Sequence, residues 1–534
     1  NGLHFEKDTV AHMPGGGYPR MIRLFNGNLL YGCDFNGGAG AFLSTDNGLT
    51  WSNGVLFSLF EDPSISKYYN CTNADLIELD NGDIIASYRS VPNDEAAKAG
   101  APYKYDYSMR SSISHDGGRS WEYFAKIASI YDTDDYPDQA KVRDIVDNNS
   151  GHGGLWEPFA YKVGHKVLSY YSDDFGGWYD ASPKDHEFQY LCCKELDFQN
   201  KKWINRHICI NGLNIKTQSK LPQVTSRDGM PVVAKMNDGT YVMAFEGTYR
   251  RNDEIRHPFI TLLSHSNDGI NWSDPVEIYR PYGVGTKSGA AYIDVTGDDR
   301  LVLTFQTEED YQERGGTEMG EPHSITKVMI SDGTPLDKID RSCFYTAQDV
   351  FHENYGIENN SLWPMAAVEN GYVYAYSGGK ANYSKIGRID PINSYHPEVE
   401  LKNYLKTKGD FAKLDNGYYR SKDDDNLLLS SRPRVINRIE ASVFPRTRNT
   451  SGIVFNYGPG GYYSFTIGED RGTVQLNKYQ NGYLKVLAIN NKIKDNFTFD
   501  PNNLYKLRIE IKNHTITGFV NGEQFLTYTD DDNF

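Results

Sequence analysis

Apolar and polar positions follow one repeating pattern through the first three quarters of the chain. An apolar run is broken by a Gly/Asn/Asp turn and followed by a second apolar run. Copies occupy residues 21–31, 75–88, 159–170, 231–245, 291–305 and 365–376. Their turns include Asn26-Gly27, Asn81-Gly82, Asp238-Gly239 and Asn370-Gly371. Asn-Gly and Asp-Gly accept positive φ at both turn positions, so each copy predicts a β-hairpin. Six hairpins, each followed by a further strand pair, predict an all-β chain folded as a six-bladed β-propeller.

A second pattern falls between the hairpins. Ser44-Thr45-Asp46-Asn47-Gly48-Leu49-Thr50-Trp51 and Ser114-His115-Asp116-Gly117-Gly118-Arg119-Ser120-Trp121 both read S-x-D-x-G-x-x-W, the Asp-box pattern. The Asp caps its own turn, Gly supplies positive φ, and Trp packs back over the hairpin. Residues 266–272 and 197–203 are degenerate copies. These Asp residues are structural rather than catalytic candidates. The propeller is expected over residues 1–392, with Leu3-His4-Phe5-Glu6 closing the last blade and removing its free edge. Beyond Pro391 the pattern changes to short alternating strands such as 451–457 and 507–511. Residues 395–534 therefore read as a separate β-sandwich, similar to concanavalin-like jelly rolls and a candidate carbohydrate-binding module.

Propeller geometry turns this pattern into a site. The start of each innermost strand and the end of each second strand lie on one face, around the axis. Strand starts then contribute Arg20, Asn73 or Asp75, Trp156, Glu157, Asp228 to Met230, Ser288 and Trp363. Strand ends contribute Asp34, Arg89, Asp173, Glu246, Gln306 and Ser377. Glu157 and Glu246 fall on neighbouring blades at the same face. Paired carboxylates are the equipment for cleaving a glycosidic bond. The alternatives are an exposed strand end for Glu157 and a solvent-facing side chain for Glu246. Arg20 and Arg89 either orient substrate hydroxyls or pair with Asp34 and Glu157.

Composition narrows the partners. The formal charge of −16 and pI of about 5.3 disfavour nucleic acid and favour a neutral substrate over an anionic polymer. The 39 Tyr suit both sheet packing and stacking on sugar rings. No apolar run is long enough to span a bilayer. Six Cys show no zinc spacing and leave disulfide pairing open. No metal or other cofactor is called for. The chain starts at Asn1 without an apolar leader, which, with the inferred substrate, predicts a secreted, monomeric protein whose leader has been removed.

Tyr18-Pro19-Arg20, Leu155-Trp156-Glu157-Pro158-Phe159 with Tyr170-Tyr171-Ser172-Asp173, and Gly229-Met230-Pro231-Val232-Val233-Ala234 with Phe245-Glu246 together resemble glycoside hydrolase family 93. The resemblance covers about the first 390 residues and is most specific in blades three and four. It implies an exo-α-1,5-L-arabinanase that releases arabinobiose from the non-reducing end of plant cell-wall arabinan, with retention. It implies Glu157 as general acid/base and Glu246 as nucleophile. Of the ring residues, Arg20, Asp34, Asn73, Arg89, Trp156, Asp173, Met230 and Trp363 are the candidate substrate contacts. Two alternatives are an exo-sialidase and a non-catalytic glycan-binding propeller. A sialidase would need two further arginines beside Arg20, for which Arg250 or Arg251 and Arg314 are loose candidates.

Overall fold

The computed structural model describes, in the first part of the chain, residues 2–5, 10–100, 103–148, 153–180, 189–212, 226–248, 259–281, 287–309, 324–351, 361–379 and 382–390. Further on it describes 404–408, 411–413, 419–421, 427–430, 438–443, 451–458, 461–468, 473–480, 483–490, 505–512 and 514–530. Two compact units divide at Ser394 and Tyr395.

In the first unit, five antiparallel sheets each take four strands in chain order. The sixth holds three consecutive strands and borrows Leu3–Phe5 from the chain start, which pairs with Tyr383–Ile389. The innermost strands are Arg20–Arg23, Tyr69–Glu78, Leu155–Val163, Gly229–Lys235, Ser288–Val295 and Leu362–Glu369. Each packs against the innermost strand of the next sheet, and the sixth packs against the first. The ring is therefore closed: a six-bladed propeller whose last blade is sealed by the N-terminal strand.

Local sequence explains the blades. At Asn370-Gly371 both turn residues take positive φ, 52° and 81°, the conformation that lets a two-residue turn follow the strand twist. The core lies between blades rather than in one centre. Phe245 on blade 4 and Phe305 on blade 5 are fully buried in one apolar cluster that also reaches blade 3. Truncating either to Ala would cost about 3–5 kcal/mol.

The second unit is a β-sandwich. One sheet contains Arg438–Val443, Tyr505–Lys512, Thr515–Val520 and Glu523–Thr529; the other contains Ser451–Gly458, Gly461–Gly468, Thr473–Gln480 and Tyr483–Asn490. Phe465 and Leu476 from one sheet and Leu507, Ile509 and Ile516 from the other share a single buried core.

Candidate active site

At the axial end of every blade the chain departs from regular strand. Six non-glycine residues there adopt left-handed backbone conformation: Tyr18, Asn73, Glu157, Met230, Ala290 and Trp363, with φ between 50° and 58°. In blades 2 to 6 each sits in a β-bulge that interrupts the pairing between the first two strands. Tyr18 immediately precedes the pairing of blade 1. The next residue is Pro at 19, 158, 231 and 364, and Ala at 74 and 291. Left-handed backbone outside glycine costs on the order of 1–3 kcal/mol per position, and such strain gathers at functional sites. Tyr18, Met230, Ala290 and Trp363 come from four different blades yet share one apolar cluster, so the ring closes over the axis.

The bulges set a shared hydrogen-bond rule. Opposite each left-handed residue, the second strand ends in Asp34, Arg89, Ser172, Glu246, Gln306 or Gly378. Four of these reach the next blade and accept its left-handed N–H. Asp34 Oδ1 accepts from Asn73 N at 3.1 Å. Ser172 Oγ accepts from Met230 N at 3.1 Å. Glu246 Oε2 accepts from Ala290 N at 2.7 Å, and Gln306 Oε1 from Trp363 N at 2.9 Å. Arg89 has no acceptor and Gly378 no side chain, so neither can follow the rule.

This places Glu157 and Glu246 on either side of one backbone step. The Ser172 hydroxyl, while accepting from Met230 N, donates to Glu157 Oε2 at 2.9 Å. Glu246 pairs in register with Gly229, the residue before Met230. A Cβ on Gly229 would lie 3.2 Å from Glu246 Oε1, and one on Gly289 would lie 2.3 Å from Oε2. Two glycines from adjoining blades thus clear the space that the Glu246 carboxylate occupies. Both glutamates keep partial exposure.

The remaining ring members form a floor and one wall. Arg20 lies under Tyr18, its guanidinium 4.0 Å from that ring's centroid and 5.1 Å from that of Tyr292. It is buried and donates to the Pro19 carbonyl at 2.7 Å. Burial raises the Tyr18 hydroxyl far above its usual range; Arg20 opposes this and the Glu157 charge adds to it, so all three share one field. Arg89 stacks 4.9 Å over Trp156 and donates to Thr72 Oγ1 at 3.2 Å. Burial pushes Asp34 up to about 7 against the pull of Asn73 N, Arg89 and Arg20. Burial likewise lifts Asp75 and Asp228 to about 7.

Two expectations need correction. Asp173 is fully buried and turned away from the ring. It accepts from Tyr136 Oη at 2.7 Å and from Gly176 N at 2.6 Å, and it pairs with Arg206. It therefore caps the short helix Asp174–Asp180 and neutralises a half-buried arginine. The residue at the ring is Ser172, one position earlier. Blade 6 shows the same offset, with Gly378 rather than Ser377 at the ring position. Tyr18 and Ala290 complete the ring without having been singled out. For Tyr18 the signal was available, since a residue followed by Pro at the start of four innermost strands marks the bulge; Ala290, followed by Ala291, carries no such mark. Arg250, Arg251 and Arg314 lie outside the described residues. Among the described residues no cluster of His, Cys, Asp and Glu is arranged to hold a metal ion.

No protein-family model and no curated protein matches this chain. By structure it is similar to the family 93 α-L-arabinofuranosidase of Fusarium graminearum in complex with arabinobiose, at 16% identity over 73% of this chain and 97% of that chain, TM-score 0.47. It is similar to the α-L-arabinanase of Penicillium chrysogenum complexed with arabinobiose, at 17% identity over 73% and 96%, TM-score 0.45. It is also similar to a Hadza microbial sialidase, at 13% identity over 71% of this chain and 66% of that chain, TM-score 0.43.

Proposed function

We propose that this chain is a secreted retaining glycoside hydrolase that cleaves α-1,5-linked L-arabinan from the non-reducing end and releases arabinobiose. The observation that carries the reading is the pair Glu157 and Glu246, both tied to the Gly229-Met230 step, one through Ser172 and the other in register with Gly229. In the first step a Glu246 oxygen attacks the anomeric carbon. The glycosidic C–O bond breaks as the Glu157 proton passes to the leaving oxygen, leaving an arabinosyl ester on Glu246. In the second step Glu157 takes a proton from water, whose oxygen attacks the same carbon and releases Glu246. The surroundings suit these roles. Glu246 is held by a backbone N–H that fixes its position. Glu157 is held by a hydroxyl, which can stay close whether the carboxyl is charged or neutral.

Sialidase chemistry is less well served. It requires arginines free to clamp a carboxylate, and Arg20 is buried between two tyrosine rings with its charge shared by Asp34 and Asp75. The test is product analysis. Linear arabinan should yield one short product with no ladder of intermediate sizes, and proton NMR of the first product should show the α-anomer. Sialic acid released from sialyllactose, a ladder from arabinan, or an initial β-anomer would each count against the reading.

A further inference from the structure

A cleft of about 620 Å³ runs outward between blades 1 and 2 from the ring just described. That volume falls within the roughly 300–1,000 Å³ typical of small-molecule sites. Its inner end is Asp34, whose Oδ1 holds the left-handed Asn73 of the ring. Thr72, also in its wall, accepts from Arg89. Cleft and ring therefore share walls. The far rim is the Asn36-Gly37 turn, where both residues take positive φ, 49° and 76°. A Cβ on Gly37 would meet nothing within 4 Å, so the turn leaves the mouth of the cleft open.

The lining chemistry is selective. It contains Asn36, Asn70 and Thr72 as neutral hydrogen-bonding groups, Phe35 as an aromatic ring and Asp34 as an acid, and among the described residues that line it there is no Lys, Arg or His. A carboxyl, amides and a hydroxyl recognise hydroxyl groups well. Without a cation they repel carboxylates and phosphates. Glycines at 15, 16, 37 and 38 keep the backbone accessible. The cleft takes Asp34 from the ring and is lined by residues of blades 1 and 2, whereas Glu157 and Glu246 stand on blades 3 and 4, so what it holds lies beyond the unit at the glutamates.

We propose that this cleft is a binding site for a neutral oligosaccharide, adjoining the ring and holding the sugar units of the chain beyond those gripped between Glu157 and Glu246. The inference rests on the functional reading above, but it is tested apart from it. Asn70 is exposed on the cleft wall and is not a ring residue, so Asn70→Trp narrows the cleft from a position outside the ring. Because Asn70-Cys71-Thr72 is an N-glycosylation sequon, the protein is made in a host that does not glycosylate. On a chromogenic aryl α-1,5-arabinobioside, which is too short to enter the cleft, Asn70→Trp should match wild type within about twofold. On arabinohexaose its kcat/KM should fall about tenfold or more, the equivalent of about 1.4 kcal/mol. An unchanged preference for the longer substrate overturns the cleft and leaves the hydrolase reading intact. If neither protein cleaves any arabinoside, the hydrolase reading fails and calorimetry decides the cleft. Arabinohexaose should then give heat with wild type and none with Asn70→Trp, while a galacturonic acid hexamer should give none with either. Equal heats from the two proteins, no heat from arabinohexaose in wild type, or binding of the acidic hexamer overturns the inference.

Discussion

The propeller keeps its carboxylates in two regions that treat them in opposite ways. At the outer turns, Asp116 accepts from Arg119 N and Ser120 N, both at 2.9 Å, and from the hydroxyls of Ser114 and Ser120. Slight burial alone would raise it, but the donors win and hold it down to about 2. Asp268 follows the same logic and also lies at about 2. At the axis, Asp75 accepts from Ala160 N at 2.7 Å, and Asp228 Oδ1 accepts from Ser226 Oγ at 2.6 Å. Asp228 Oδ2 is buried without a hydrogen-bond partner. Burial dominates there and both rise to about 7. The same side chain is a turn cap in one place and a proton-holding group in the other. The number of donors set against desolvation decides which.

The largest test of this contrast is functional. Glu246→Gln and Glu157→Gln should each lower arabinan turnover by about a thousandfold or more while leaving the thermal melt within a few degrees of wild type. Either variant turning over at the wild-type rate would move the chemistry away from the axis.

A smaller effect tests whether inner carboxyls are held neutral. Asp228 is protonated in the folded protein up to about pH 7, whereas in the unfolded chain it ionises near 3.8. Between those values the folded state binds more protons, so its stability falls as pH rises. For a fully buried group this amounts to on the order of 2–4 kcal/mol. Asp228→Asn keeps the shape and removes the titration. Urea melts at pH 4.5 and 7.5 should show a flatter slope in the variant. An identical slope would mean that Asp228 is ionised when folded.

The sequence made the outer region readable and left the inner one half hidden, for a physical reason. Turn chemistry is local. Asn370-Gly371 and the S-x-D-x-G-x-x-W runs carry all of their geometry within eight residues. The pairing of Glu157 with Glu246 was readable because it needs only blade order and strand direction. The ring register was not. The bulge adds its extra residue to the first strand, and Ser172, not Asp173, pairs with Trp156 beside the left-handed Glu157. The charge state of Asp34, Asp75 and Asp228 depends on what covers them, and no spacing in the chain encodes that. Arg20 was placed at the axis, but its position beneath Tyr18 follows from the left-handed backbone at residue 18.

Glu157 shares one feature with the outer carboxylates, a serine hydroxyl that donates to it. Ser172→Ala removes the hydroxyl that positions the Glu157 carboxyl. It should lower kcat about tenfold with little change in KM. A purely structural Ser172 would lower the melt, since Met230 N loses its acceptor, but would leave kcat at the wild-type value.

The smallest effect belongs to the outer turn and closes the comparison from the other side. Asp116→Ala removes a cap whose loss costs about 1 kcal/mol, and arabinan turnover should stay at the wild-type rate. Its pH dependence runs opposite to that of Asp228. The folded carboxyl sits at about 2 against 3.8 in the unfolded chain. The stability it gives is therefore complete above about pH 4 and is lost as pH falls toward 2. Measured by urea melts, the stability of wild type relative to Asp116→Ala should be largest above pH 5 and shrink on acidification, whereas the stability of wild type relative to Asp228→Asn should fall as pH rises. If both differences moved the same way with pH, donor count would not be what separates the two regions.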